Sequence, residues 1–140
     1  MLNWHSKVQY LGVIFHGWTY QMRVLVIEDS LVLRRLIETC FRDFDFEFES
    51  QRLPHSPQRI GGFDEADMVV IGVYQPLTIA LGTIQRLKGR TKPPAIIALT
   101  TDTRERSIEQ IAAAGADAVI KMPFRPDELR DAANQVLGLE

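Results

Sequence analysis

Residues 23–30 read Arg-Val-Leu-Val-Ile-Glu-Asp-Ser. From Arg23 to Ile27, four apolar and β-branched residues follow the arginine without polar alternation and predict a strand buried on both faces, the kind found inside parallel sheets. The run ends in two acids, and Ser30 is a natural N-cap for a helix. Leu33, Leu36, Ile37, Cys40 and Phe41 follow at i, i+3, i+4, i+7 and i+8, one face of that helix. Cys40 on this face is read as a packing residue rather than a nucleophile.

The same unit repeats downstream. Phe44 to Phe48 alternates Phe-Asp-Phe-Glu-Phe, a strand with one polar face near a sheet edge. Residues 51–66 hold Pro54, Pro57, Gly61 and Gly62 and predict a loop or a short helical turn. Met68-Val-Val-Ile71 is a second buried strand ending at Gly72. Leu77, Ala80, Leu81, Ile84 and Leu87 mark the next helix. Ala95-Ile-Ile-Ala-Leu99 is a further strand ending in Thr100. Ile108, Ile111 and Ala112 mark a helix that stops at Gly115, and Ala118-Val-Ile120 is a short strand. Pro126, Asp127 and Glu128 open a last helix with Leu129, Ala132, Ala133, Val136 and Leu137 inward, closed by Gly138. Strands alternating with helices predict an α/β fold, a doubly wound parallel five-stranded sheet between two helical layers. Its functional crevice lies beyond the carboxyl ends of the strands, where Glu28, Asp29, Gly72, Thr100 and Lys121 stand.

Composition narrows the function. Sixteen Lys and Arg against eighteen Asp and Glu leave a net charge of −2, which argues against a nucleic-acid-binding face. A single cysteine excludes an internal disulfide framework and fits a reducing, cytoplasmic compartment. No apolar run reaches the roughly 20 residues that span a membrane. Residues 1–21 stand apart from residues 22–140. They form either an extra strand or hairpin arm around Gly12, or sequence translated upstream of a natural start at Met22.

Four motifs in order resemble the receiver domain of two-component response regulators over residues 23–137. "RVLVIEDS" (23–30) looks like the family's first strand with its acidic pair, and "DMVVIGVYQP" (67–76) is similar to the segment carrying the phosphorylated aspartate. "AIIALT" (95–100) looks like the strand with the hydroxyl switch residue, and "AGADAVIKMPF" (114–124) resembles the stretch leading to Lys-Pro-Phe. The resemblance implies a flavodoxin-like (βα)5 fold and Mg²⁺-assisted phosphoryl transfer from a histidine kinase to an aspartate.

Position by position, the chemistry is incomplete. Glu28 and Asp29 match the acidic pair and Thr100 the hydroxyl. Gly72 stands at the acceptor's place, Met122 at the lysine's, and Val119 at the aromatic switch's. Lys121, one residue early, points to the other face of its strand. A degenerate receiver is therefore expected: no enzyme, no cofactor, and at most a weak Mg²⁺ site at Glu28, Asp29 and the Tyr74 carbonyl. The preferred reading makes the two acids solvated strand-end residues beside the following helix. Thr100 is expected to bond local backbone, Asp67, Asp102 and Asp117 to be turn or cap residues, and Gly72 to mark close backbone approach by a loop. On this reading Gly72→Asp alone would restore Mg²⁺ binding.

The expected role is phosphorylation-independent recognition of a protein partner or of a second copy. The resemblance places that surface on the family's fourth helix, fifth strand and fifth helix. Arg104, Arg106, Glu109, Arg130, Asp131 and Asn134 would form it here. The alternatives are a receiver phosphorylated on another acceptor and a small-molecule binder seated over Gly72.

Overall fold

The computed structural model describes residues 21–54 and 65–139. The expectations for residues 1–20 and 55–64 fall outside the described residues. The described elements run β1 (Met22–Ile27), α1 (Leu31–Cys40), β2 (Phe46–Gln51), β3 (Met68–Val73), α2 (Thr78–Lys88), β4 (Ala95–Thr100), α3 (Glu105–Ala114), β5 (Ala118–Lys121) and α4 (Pro126–Leu137). All five strands are parallel in one sheet of order β2-β1-β3-β4-β5. This is the doubly wound fold expected.

Strand position follows sequence character. β3, apolar throughout except for Gly72, is buried at every residue and lies at the centre. β2, with its alternating acids, lies at one edge with alternate residues turned outward. Side chains leave opposite faces of each strand in turn, so the sheet carries two cores. One joins Val24, Val26, Val70, Ile97 and Leu99 to Ile37 and Phe41 beside α1 and Leu129, Ala133 and Leu137 of α4. The other joins Leu25, Ile27, Val69, Ile71, Ile96 and Ala98 to Ala80, Ile84 and Leu87 of α2 and Ile111 and Ala114 of α3. Each fully buried aliphatic side chain contributes roughly 1.5–3 kcal/mol of transfer free energy.

Three helix readings change in detail. In α1, Leu36 is 44% exposed, and Leu31 and Val32 are exposed beside it. The buried stripe narrows to Ile37, Cys40 and Phe41, because a short helix on a sheet edge buries less than its whole apolar arc. In α3 the buried stripe is Ser107, Ile111 and Ala114, and Ala112 is exposed. In α4 Arg130 and Asn134 are half-buried. Arg130 lies near enough to Cys40 for its charge to favour the thiolate, although burial dominates and raises the thiol. Arg130 therefore lies on the side of α4 that packs toward α1.

Helix ends follow local chemistry. The Ser30 hydroxyl accepts from Leu33 N at 3.2 Å and starts α1. Glu128 Oε1 accepts from Arg125 N at 3.0 Å and starts α4. Gly115 stops α3 at φ 127° and Gly138 stops α4 at φ 67°, backbone that a side chain disfavours.

Candidate functional site

A parallel sheet sends all five strand ends to one edge. β1 ends level with Ile71 of β3. Val73 lies level with Thr100, and Thr100 with Lys121. The chain segments after β1, β3 and β4 thus meet at this edge, and Glu28, Gly72, Tyr74 and Thr100 come together there.

Glu28 is 2% exposed, so it is not the solvated residue expected. Its Oε2 accepts from Ser30 N at 2.7 Å, and its Oε1 accepts from the Tyr74 hydroxyl at 2.5 Å. The nearby start of α1 adds a favourable dipole. Those donors explain how a carboxylate is tolerated out of water. Asp29 is exposed, and its Oδ1 accepts from Leu53 N at 2.9 Å, tying the end of β1 to the chain after β2.

Gly72 faces this pair. A Cβ built on it would collide with Glu28 Oε1, and would lie 2.9 Å from Tyr74 Cε2 and 3.1 Å from Glu28 Cδ. The close approach anticipated at Gly72 is thus made by two side chains, not by the backbone of a loop. The glycine's missing side chain leaves the space in which Glu28 sits. The Tyr74 phenol is pushed well above the usual tyrosine range, first by burial, then by the hydrogen bond and charge of Glu28 and by the charge of Asp29. It remains a donor throughout ordinary pH.

Thr100 is fully buried, and its hydroxyl accepts from Asp102 N at 3.0 Å, the local backbone bond expected of it. Asp102 does more than shape a turn. Its carboxylate accepts from Gln75 Nε2 at 2.6 Å, from Ser107 Oγ at 2.7 Å and from Arg104 Nη2 at 2.7 Å and Nε at 3.0 Å. Arg104's hydrogen bond and then that of Ser107 hold the Asp102 carboxyl well below the usual carboxylate range. Arg104 is therefore occupied within its own loop. Tyr74, Gln75, Asp102 and Ser107 escaped sequence reasoning as a group. The available signals were a phenol two residues beyond Gly72 and a serine inside an apolar stripe.

The remaining candidates separate. Val119 is partly buried against the α2–α3 core, and Met122 against the α1–α4 core. Lys121 is exposed. Asp67 and Asp117 precede β3 and β5, at the opposite end of the sheet. There Asp67 accepts from Arg23 N at 2.8 Å, and Asp117 from Ile96 N at 2.8 Å and Lys88 Nζ at 2.6 Å. Arg106, Glu109 and Asp131 are exposed.

Mg²⁺ prefers octahedral oxygen ligands, including free carboxylate lone pairs. Both oxygens of Glu28 already take a donor from the chain, and Gly72 supplies no carboxylate. Among the described residues no group of three or more His, Cys, Asp and Glu side chains could hold a metal ion. The residues present do not fit the family's metal.

The sequence profile of the response regulator receiver domain matches residues 24–134. The chemotaxis protein CheY1 of Helicobacter pylori is 23% identical over 121 residues, covering 84% of this chain and 98% of that protein. The crystal structure of HP1043, an orphan response regulator of Helicobacter pylori, superposes with a TM-score of 0.69 at 21% identity, covering 83% of this chain and 96% of that one. The chemotaxis response regulator CheY4 of Vibrio cholerae gives a TM-score of 0.67 at 20% identity, covering 84% and 100%. These likenesses carry the fold, and the profile carries the family: the chain belongs to the response regulator receiver domains of two-component signalling.

Proposed function

We propose that this receiver domain signals without being phosphorylated, as a non-enzymatic module that recognises a protein partner or a second copy of itself. The observation that carries the reading is Gly72. At the position the resemblance assigns to the acceptor there is no nucleophile, and the space beside it belongs to Glu28 and Tyr74. Carboxylate attack on phosphorus needs an acceptor and charge neutralisation by a cation. Neither requirement is met by Glu28 and Asp29 as they stand. Met122 in place of the lysine removes the ammonium that would pair with a phosphate oxygen. The same packing disfavours a small molecule seated over Gly72.

Incubation with acetyl phosphate and Mg²⁺, read by intact mass, tests this. No added phosphoryl group is expected, and beryllofluoride should leave the amide resonances around Thr100 unchanged. One phosphoryl group mapped to any aspartate of the crevice overturns the reading in favour of an active receiver.

A further inference from the structure

Gly72, Glu28 and Tyr74 are mutually dependent. Glu28 reaches its buried position because Gly72 has no side chain. Oε1 of Glu28 has a donor there because Tyr74 folds back onto it. The next residue, Gln75, fastens the same loop to Asp102 on the other side, and Asp102 in turn holds Thr100, Arg104 and Ser107. The loop after β3 is thus tied to the end of β1 and to the loop after β4.

We propose that Gly72, Glu28 and Tyr74 form an internal lock that holds the three loops at the carboxyl edge of the sheet in a single arrangement, so that the domain presents its recognition surface permanently. The proposal rests on the phosphorylation-independent reading and adds how that state is maintained. Its parts follow from desolvation. A buried carboxylate oxygen deprived of its donor is costly, so Glu28 stays only while Tyr74 donates. The raised phenol keeps that proton in place. The lock gives Gly72 a positive role. In an ordinary strand a Gly→Ala change is favourable, because alanine loses less conformational freedom. Here the added methyl would push the Glu28 carboxylate off its donor.

The test compares the wild-type chain with Gly72→Ala and Tyr74→Phe, the second being conservative enough to fold should the first fail. Amide hydrogen exchange is followed over residues 74–78 and 101–106. Loss of the lock is expected to speed exchange in both segments by about tenfold while the strands stay protected. Gly72→Ala should also lower the thermal midpoint. In wild type, one tyrosine 13Cζ resonance should resist alkaline titration, and that resonance should be absent in Tyr74→Phe. A raised midpoint in Gly72→Ala, unchanged exchange in Tyr74→Phe, or a Tyr74 resonance titrating like free tyrosine would each overturn the lock. Those results leave the signalling reading intact, whereas uptake of a phosphoryl group by the wild type overturns that reading itself.

Discussion

Gln75 donates its side-chain amide to Asp102 across 2.6 Å, joining the loop after β3 to the loop after β4 over 27 positions of sequence. Asp102 is held by Arg104 and Ser107 as well, and its carboxyl is depressed by these bonds. A depressed carboxyl contributes stability that is complete above its unfolded value of about 3.9 and is lost as pH falls through the lower folded value. The thermal midpoint should therefore fall on acidification below about pH 4–5. Asp102→Asn should start lower at neutral pH and lose midpoint less steeply in acid. Parallel profiles for the two proteins would show that Asp102 does not carry the acid sensitivity.

Gly72→Asp supplies a carboxylate at the position proposed for the acceptor but places a Cβ against Glu28 Oε1. The sequence-based expectation that this change alone restores Mg²⁺ binding is therefore revised. The single variant should be less stable than wild type and bind Mg²⁺ weakly. The double variant Gly72→Asp/Tyr74→Phe frees Glu28 to turn toward the new acid and should bind Mg²⁺ more tightly, as measured by calorimetry. Equal affinities would mean that Glu28 leaves Tyr74 without resistance.

Phe41 is fully buried at the end of α1. Its ring meets those of Phe44 at 5.3 Å, Phe46 at 5.4 Å and Phe48 at 6.3 Å between centroids. Truncation leaves a cavity beneath the edge strand β2, so Phe41→Ala should cost about 3–5 kcal/mol. Urea unfolding monitored by circular dichroism gives the value. A loss below about 1 kcal/mol would place β2 and its aromatic cluster outside the cooperative core.

On the surface proposed for recognition, Arg106 is the informative arginine. Arg104 is bound to Asp102, so Arg104→Glu would disturb its own loop, and Arg130 is half-buried and within electrostatic reach of Cys40. If self-association runs through α3, β5 and α4, Arg106→Glu should weaken it in a salt-dependent way with the thermal midpoint unchanged. Arg130→Glu should then have less effect. Sedimentation giving wild-type mass for Arg106→Glu at every concentration would move the interface elsewhere, and the exposed Leu31, Val32 and Leu36 of α1 become the next surface to test.

The sequence by itself determined the order and kind of the described elements, because their signals are local. Runs such as residues 24–27 and 68–71 are apolar without a break, Ser30 caps the helix beside it, and Gly115 and Gly138 stop theirs. It also determined which residue types stand at the strand ends, and so that Gly72 offers no carboxylate. Only the tertiary structure decided what fills the crevice. Glu28 and Gly72 are 44 positions apart, Tyr74 and Glu28 are 46 apart, and no periodicity reports whether a carboxylate turns outward to water or inward to a phenol. That choice depends on the space a glycine leaves and on donors supplied by another loop, which exist only when β1, β3 and β4 lie side by side. The same holds for Arg130, outward by helical counting yet half-buried and within electrostatic reach of Cys40, because the packing of α4 on α1 is a property of the assembled layers.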